Sequence, residues 1–185
     1  MTKSLLAVSA LALLIVMPLQ AGAQSMPSAS QIERTLQAPP PGKVPPRQRA
    51  TVNELKRRPD LRKVAPSIEI QAINFAFGAA DIAPSQYPKV ERIATAMRRI
   101  LRRSPREVFL IEGHTDAVGT AAANLQLSEA RARSLKRVLV RQFGIPRQAL
   151  ETVGYGESFL LVPTQNENWR NRRVTLRRIT DVLAR

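Results

Sequence analysis

Val108-Phe109-Leu110-Ile111-Glu112-Gly113-His114-Thr115-Asp116 is the stretch on which the fold turns. Its first four residues are apolar at odd and even positions alike, as expected of a strand buried on both faces. On its N-terminal side, Tyr87–Arg103 carries Val90, Ile93, Ala94, Met97, Ile100 and Leu101 at helical spacing and predicts an amphipathic helix. On its C-terminal side, residues from about 121 to Phe143 predict a second helix, stopped by Gly144 with Pro146 beyond. Ile68–Phe75 predicts an earlier strand, and Leu150–Val153 and Arg172–Ile179 predict two later ones, with a long loop over Gly154–Asn171 between them. The resulting β-α-β-α-β-β order predicts an α+β two-layer sandwich, with helices stacked on one face of a mixed sheet.

The second helix holds an anomaly. On a helical wheel Leu125, Leu127, Ala132, Leu135, Val138, Leu139 and Phe143 share one face, and Glu129, Arg133, Lys136, Arg137 and Arg141 the other. Arg131 falls on the apolar side, as does Asn124 nearly two turns earlier. An arginine aimed at a core needs a partner, because an unpaired charge is costly to bury. Asp116, fifteen residues before it, is the nearest acid in position. From the wheel alone, an internal Asp116–Arg131 salt bridge and a ligand-binding pair stand nearly level.

Several short motifs then fall in a fixed order: Asn74-Phe75-Ala76-Phe77-Gly78, Glu112-Gly113-His114-Thr115-Asp116 with Gly119, and Asn124-Leu125-Gln126-Leu127-Ser128-Glu129-Ala130-Arg131-Ala132. Gly144-Ile145, Gly154-Tyr155-Gly156-Glu157 and Asn171-Arg172-Arg173-Val174 follow. Over about three-fifths of the chain, from Ile68 to Ile179, this set resembles the OmpA-like peptidoglycan-binding domain of Gram-negative envelopes. The resemblance implies the same β-α-β-α-β-β sandwich and a ligand in the peptide stem of peptidoglycan, its diaminopimelate residue. It also implies that Asp116 and Arg131 hold the two central ligand-binding positions. A fixed aspartate and guanidinium complement the ammonium and carboxylate of such a zwitterion. Asn124 is a further candidate for the ligand and for ordering the loop, and Arg172 a weaker one for lining the site. The chain departs from the family in the wording of Thr164–Arg170 and in Thr175, where an acid is frequent.

The N-terminus reads as a signal peptide over residues 1–23. Lys3 supplies its charge, Leu5–Leu19 its apolar core and Ala21-Gly22-Ala23 its cleavage site. The apolar run is short for a membrane span, so no transmembrane segment is expected in the mature chain, a retained anchor being the alternative. Residues 24–65 hold seven of the fourteen prolines and nine basic residues against three acids. They read as a Pro-rich basic linker, largely disordered, with an alternative role in docking on an envelope protein partner. Ser30/Glu33 and Thr51/Glu54 are capping-box signals for short helices near 31–37 and 52–58. Residues 66–185 are then the binding domain.

With no cysteine and one histidine, disulfides, thiolate nucleophiles and cysteine metal sites are excluded, and His114 reads as a packed loop residue. No cofactor or metal is expected, nor an enzyme, since no nucleophile has a base beside it. Gly113 and Gly119 read as turn glycines. The formal charge is +15. In the domain it gathers at Arg92, Arg98, Arg99, Arg102, Arg103 and Arg106, opposite the apolar face of the first helix. That cluster reads as a solvated face, or as a peripheral contact with an anionic envelope surface. Nucleic acid is not an expected partner, because no aromatic residues interleave with the basic ones. The expectation is a periplasmic, cell-wall-associated binding module for peptidoglycan. Its alternative is a basic periplasmic protein that binds an anionic envelope polymer or a protein partner and leaves the peptidoglycan site unused.

Overall fold

A computed structural model describes residues 25–40, 42, 44–73, 75 and 79–184. The signal-peptide reading of residues 1–23 and most of the motif at 74–78 lie outside the described residues. The elements run α1 (Ala29–Gln37), α2 (Val52–Arg57), α3 (Pro59–Lys63), β1 (Ser67–Ile70), α4 (Tyr87–Arg103), β2 (Phe109–His114), α5 (Ala121–Arg141), β3 (Leu150–Gly154) and β4 (Arg173–Arg178). The sheet order is β1-β4-β2-β3, with β2 parallel to β3 and β4 antiparallel to both β1 and β2. The chain thus has the mixed sheet and α+β class expected.

Strand alternation divides the sheet into two unlike faces. Ile70, Phe109, Ile111, Leu150, Val174 and Leu176 form one core with α4 and α5. Here α5 lies against the backbone of β2 and β3, which side chains would prevent. A Cβ on Gly113 would sit 2.1 Å from the Ser128 carbonyl oxygen, and one on Gly154 would sit 2.4 Å from the Glu129 backbone nitrogen. Gly113 therefore serves close approach within a strand and not a turn, whereas Gly119 does occupy the left-handed region at φ 99°.

The second face carries Leu110, Glu112 and His114 of β2 and Arg173, Thr175 and Arg177 of β4. It is not bare. Residues 44–66 lie across it, with Leu55, Leu61 and Ala65 packed on Leu110, Ile179 and Val182. Arg62 is the anchor. Its guanidinium stacks over Tyr155 and Phe159, 4.3 and 4.2 Å from the ring centroids, and its Nε lies 2.9 Å from Glu112 Oε1. Arg177 Nε donates to the same oxygen at 2.9 Å, while its Nη1 donates to the carbonyls of Arg62 and Ala65.

The expectation of a largely disordered linker over 24–65 is therefore corrected. Helix α1 adds to the first core, with Ile32 and Leu36 fully buried. Each such side chain contributes about 1.5–3 kcal/mol of apolar transfer. The proline count misleads because no described proline lies in a helix interior, Pro59 taking the first position of α3, while the large apolar residues Ile32, Leu36, Leu55 and Leu61 fall on docking faces. The cap of α1 is Ser28 with Gln31, not Ser30 with Glu33. Glu33 is buried instead and receives Arg99 and Arg103 of α4. The box at Thr51 and Glu54 forms as expected.

Candidate functional site

The site lies where β2 ends and α5 begins. Past His114, the Thr115 amide donates to the Gly156 carbonyl and the Tyr155 amide to the Gly113 carbonyl, joining the loops that follow β2 and β3. Asp116 comes next, and its Oδ1 receives the Val118 amide at 3.4 Å. Thr120 caps α5 by accepting from the Ala123 amide. Asn124, in the first turn, donates to the Val118 carbonyl at 3.2 Å and to Glu157 Oε2 at 2.6 Å. Its amide is thus spent on ordering the two loops around Asp116. The Gly156 amide donates to Ser128 Oγ at 2.8 Å, fixing the same loop to α5.

Asp116 is 7% exposed, and its ion-pair partner is Arg172, whose Nη1 donates to Oδ2 at 2.9 Å and to Glu167 Oε1 at 2.6 Å. The internal Asp116–Arg131 salt bridge weighed from the helical wheel does not form. Arg131 instead donates from Nε to the Ala79 carbonyl at 3.2 Å, with its guanidinium 4.8 Å from the centre of the Phe75 ring. Among the described residues nothing accepts from its two Nη groups. The segment before α4, out of reach of a wheel drawn on α5 alone, supplies this support. Burial lowers the pKa of Arg131 and the charge of Arg172 lowers it further, while Asp116 is near enough to oppose both. Burial also opposes the charge on Arg172, but Asp116 and Glu167 outweigh it and raise its pKa.

All four candidate residues therefore converge, in roles partly different from those expected. Asp116 is a shielded carboxylate held by one amide and one arginine. Arg131 is a stacked guanidinium with an open fork of donors, Arg172 bridges two acids, and Asn124 is a structural tie. Glu157 and Glu167 were not singled out from the sequence, although they are the acids that engage Asn124 and Arg172. Asn171 was quoted only as part of a motif. It is fully buried, accepts from the Leu161 and Val162 amides at 2.9 Å and donates to the Val162 carbonyl, so it shapes the loop that delivers Arg172. Trp169 is half exposed on the same loop.

His114 is packed, as expected, but it closes strand β2 and is not in a loop; it lies 5.7 Å from Tyr155 in a stacked arrangement and 3.7 Å from Glu112. Burial, with Arg173 and Arg62 nearby, lowers its pKa to about 4 against the pull of Glu112, so it is neutral at pH 7. No group of acids and histidine among the described residues has the arrangement to hold a metal ion.

Known proteins resemble this chain in sequence and in fold. The sequence model of the OmpA family matches residues 74–174. Outer membrane porin F of Pseudomonas aeruginosa is 34% identical over 114 residues, covering 60% of this chain and 31% of that protein. The peptidoglycan-associated lipoprotein of the same organism is 34% identical over 111 residues, covering 59% of this chain and 62% of that one. The chain thus spans less than two thirds of either relative. Among solved structures, the periplasmic domain of Helicobacter pylori MotB shares the fold, with a TM-score of 0.50 at 22% identity over 60% of this chain and 74% of the other.

Proposed function

Because this chain belongs to the OmpA family, we propose that it binds peptidoglycan non-covalently and tethers an envelope component to the cell wall. The observation that carries this reading is Arg131, whose guanidinium is supported from behind by Ala79 and Phe75 while its Nη groups stay open near Asp116. A similar protein that covers much of the same stretch is named as peptidoglycan-associated. The ligand is the diaminopimelate of the peptide stem. Its carboxylate takes the Arg131 fork through two parallel hydrogen bonds, and its ammonium takes Asp116. Arg172 must then share or yield Asp116, and Glu167 is there to retain it. Amides in the first turn of α5 add donors at the positive end of the helix.

This is the chemistry of a binding module, with no step that requires a nucleophile or cofactor. Residues 66–185 form the binding domain in this reading, residues 1–23 direct export to the periplasm, and residues 24–65 carry any contact with an envelope protein partner. No helix among the described residues is long and apolar enough to cross a membrane.

Co-sedimentation with purified sacculi tests the proposal. Wild-type protein is expected to pellet in high salt and to be released by free meso-diaminopimelate. Asp116→Ala and Arg131→Ala should each lower pelleting at least tenfold, as loss of a charge-assisted pair implies, with circular dichroism unchanged. A folded variant that sediments like wild type would remove that residue from the site. Pelleting lost to salt alone would overturn the diaminopimelate reading.

A further inference from the structure

The two ends of the sheet differ in charge. Strands β2 and β3 are parallel, and α4 and α5 run back against them. The C-terminal ends of both helices therefore meet the starts of β2 and β3 and the end of β4, at the end opposite Asp116. Helix α5 spans 21 residues, so the two ends stand about 30 Å apart.

The arginines grouped on α4 in the sequence divide into two sets. Four are engaged inside the fold. Arg92 donates to the Met26 carbonyl, Arg98 to the Phe143 carbonyl, and Arg99 and Arg103 to Glu33. Arg102 and Arg106 have no acidic partner among the described residues, and they share this end with Arg141 and Arg147, which have none either. The nearby acids Glu107 and Asp181 are both taken by Arg178. The exposed residues of 102–106 and 141–148 are arginine, serine, proline, glutamine and glycine, with no acid among them.

Helix dipoles account for Arg102 and Arg141 in the last turns of α4 and α5. They do not account for Arg106, in the turn after α4, or for Arg147, which opens a short 3-10 helix (Arg147–Ala149) beyond α5. Each of these follows a proline directly, Pro105 and Pro146, whose ring fixes the backbone that carries it. Four exposed arginines at one end of the fold, with no acid to pair them among the described residues, make a locally positive surface that attracts an anion.

We propose that this end is a docking face for anionic phospholipid headgroups. Arginine suits the task, because its planar fork takes a phosphate through paired hydrogen bonds. None of the exposed residues there is aromatic, so nothing stacks a nucleic-acid base. The face is independent of Asp116 and Arg131. If the wall reading holds as well, one molecule reaches a membrane surface with one end and the wall with the other.

Vesicle co-sedimentation of the full chain tests this, with phosphatidylglycerol–phosphatidylethanolamine vesicles against phosphatidylcholine vesicles at low and high salt. Binding is expected to the anionic vesicles only and to weaken with salt. Arg106→Glu/Arg147→Glu should lower it more than tenfold, since each basic residue near an anionic membrane contributes about a fivefold factor. Arg57→Glu/Arg170→Glu makes the same charge change elsewhere and should lower it less than about threefold, because charges more than a Debye length from the bound surface are screened. If the first variant folds poorly, Arg106→Gln/Arg147→Gln replaces it. Asp116→Ala should bind vesicles like wild type, which separates this proposal from the wall reading. Equal losses in both double variants would overturn it, as would failure to bind anionic vesicles. Equal affinity for a single-stranded oligonucleotide would overturn the lipid assignment.

Discussion

Glu112 sits beneath Arg62 and Arg177 on the covered face of the sheet, with His114 3.7 Å away. Burial alone would raise its pKa, but His114, Arg177 and Arg62 outweigh that and hold it at about 2. His114 is held at about 4, below its ordinary 6.5, and Glu112 below its ordinary 4.5. Both groups therefore resist protonation in the fold, and both destabilise it on acidification. The His114 contribution is complete above pH 6.5 and disappears as the pH falls through 4; the Glu112 contribution is complete above 4.5 and disappears toward 2. Urea denaturation across this range should show stability falling by about 3 kcal/mol between pH 6.5 and 4. His114→Gln should flatten that limb and leave the more acidic one. An unchanged slope would remove His114 as its source. Glu112→Gln leaves two buried guanidiniums short of an acid and should cost about 3–5 kcal/mol at pH 7. At Gly113 the added methyl of alanine would meet the Ser128 carbonyl at 2.1 Å, so Gly113→Ala should be more destabilising than the ordinary overpacking cost of about 1–3 kcal/mol. Calorimetry checks both.

Helix α1 is the element whose packing is most directly measurable. Leu36→Ala should cost about 2–5 kcal/mol in urea denaturation, as for a core leucine. A value near zero would mean that α1 does not dock. Ser28→Ala should cost about 1 kcal/mol through loss of the cap. At this scale α4, α5, β2, β3 and β4 were legible, because each is long enough or patterned enough for periodicity to speak, whereas β1 was placed correctly but stops at Ile70 and does not run on to Phe75. The docking of α1, α2 and α3 was not. Each has nine residues or fewer and buries only one or two large apolar side chains, a pattern that prolines and basic residues on both sides obscure. The strand at 108–111 did carry a hint, since apolar residues at both parities require cover on both faces, and Leu110 finds Leu55 and Leu61. The site was half legible for a similar reason. A helical wheel locates Arg131 on the inner side, but it cannot show that the segment before α4 supports it or that Arg172 reaches Asp116 first.

The molecule as a whole is a sheet enclosed by its own N-terminal segment. Helix α1 adds to the helical layer, residues 44–66 cross the opposite face, and Ala50 pairs with Leu183 in an isolated parallel bridge. This enclosure has a mechanical meaning. Tension entering near Met26 meets the Arg92 contact first, then the buried side chains and Glu33 pairs of α1, all before it reaches Arg62. Under such load α1 has to leave α4 and give up the burial of Ile32 and Leu36 before the segment that crosses the sheet is pulled. Beyond it, Arg62 is clamped between Tyr155 and Phe159 on the loop that joins Thr115. Load that arrives there pulls on the surroundings of Asp116, so the grip on a ligand would be strained only after α1 has been spent as slack.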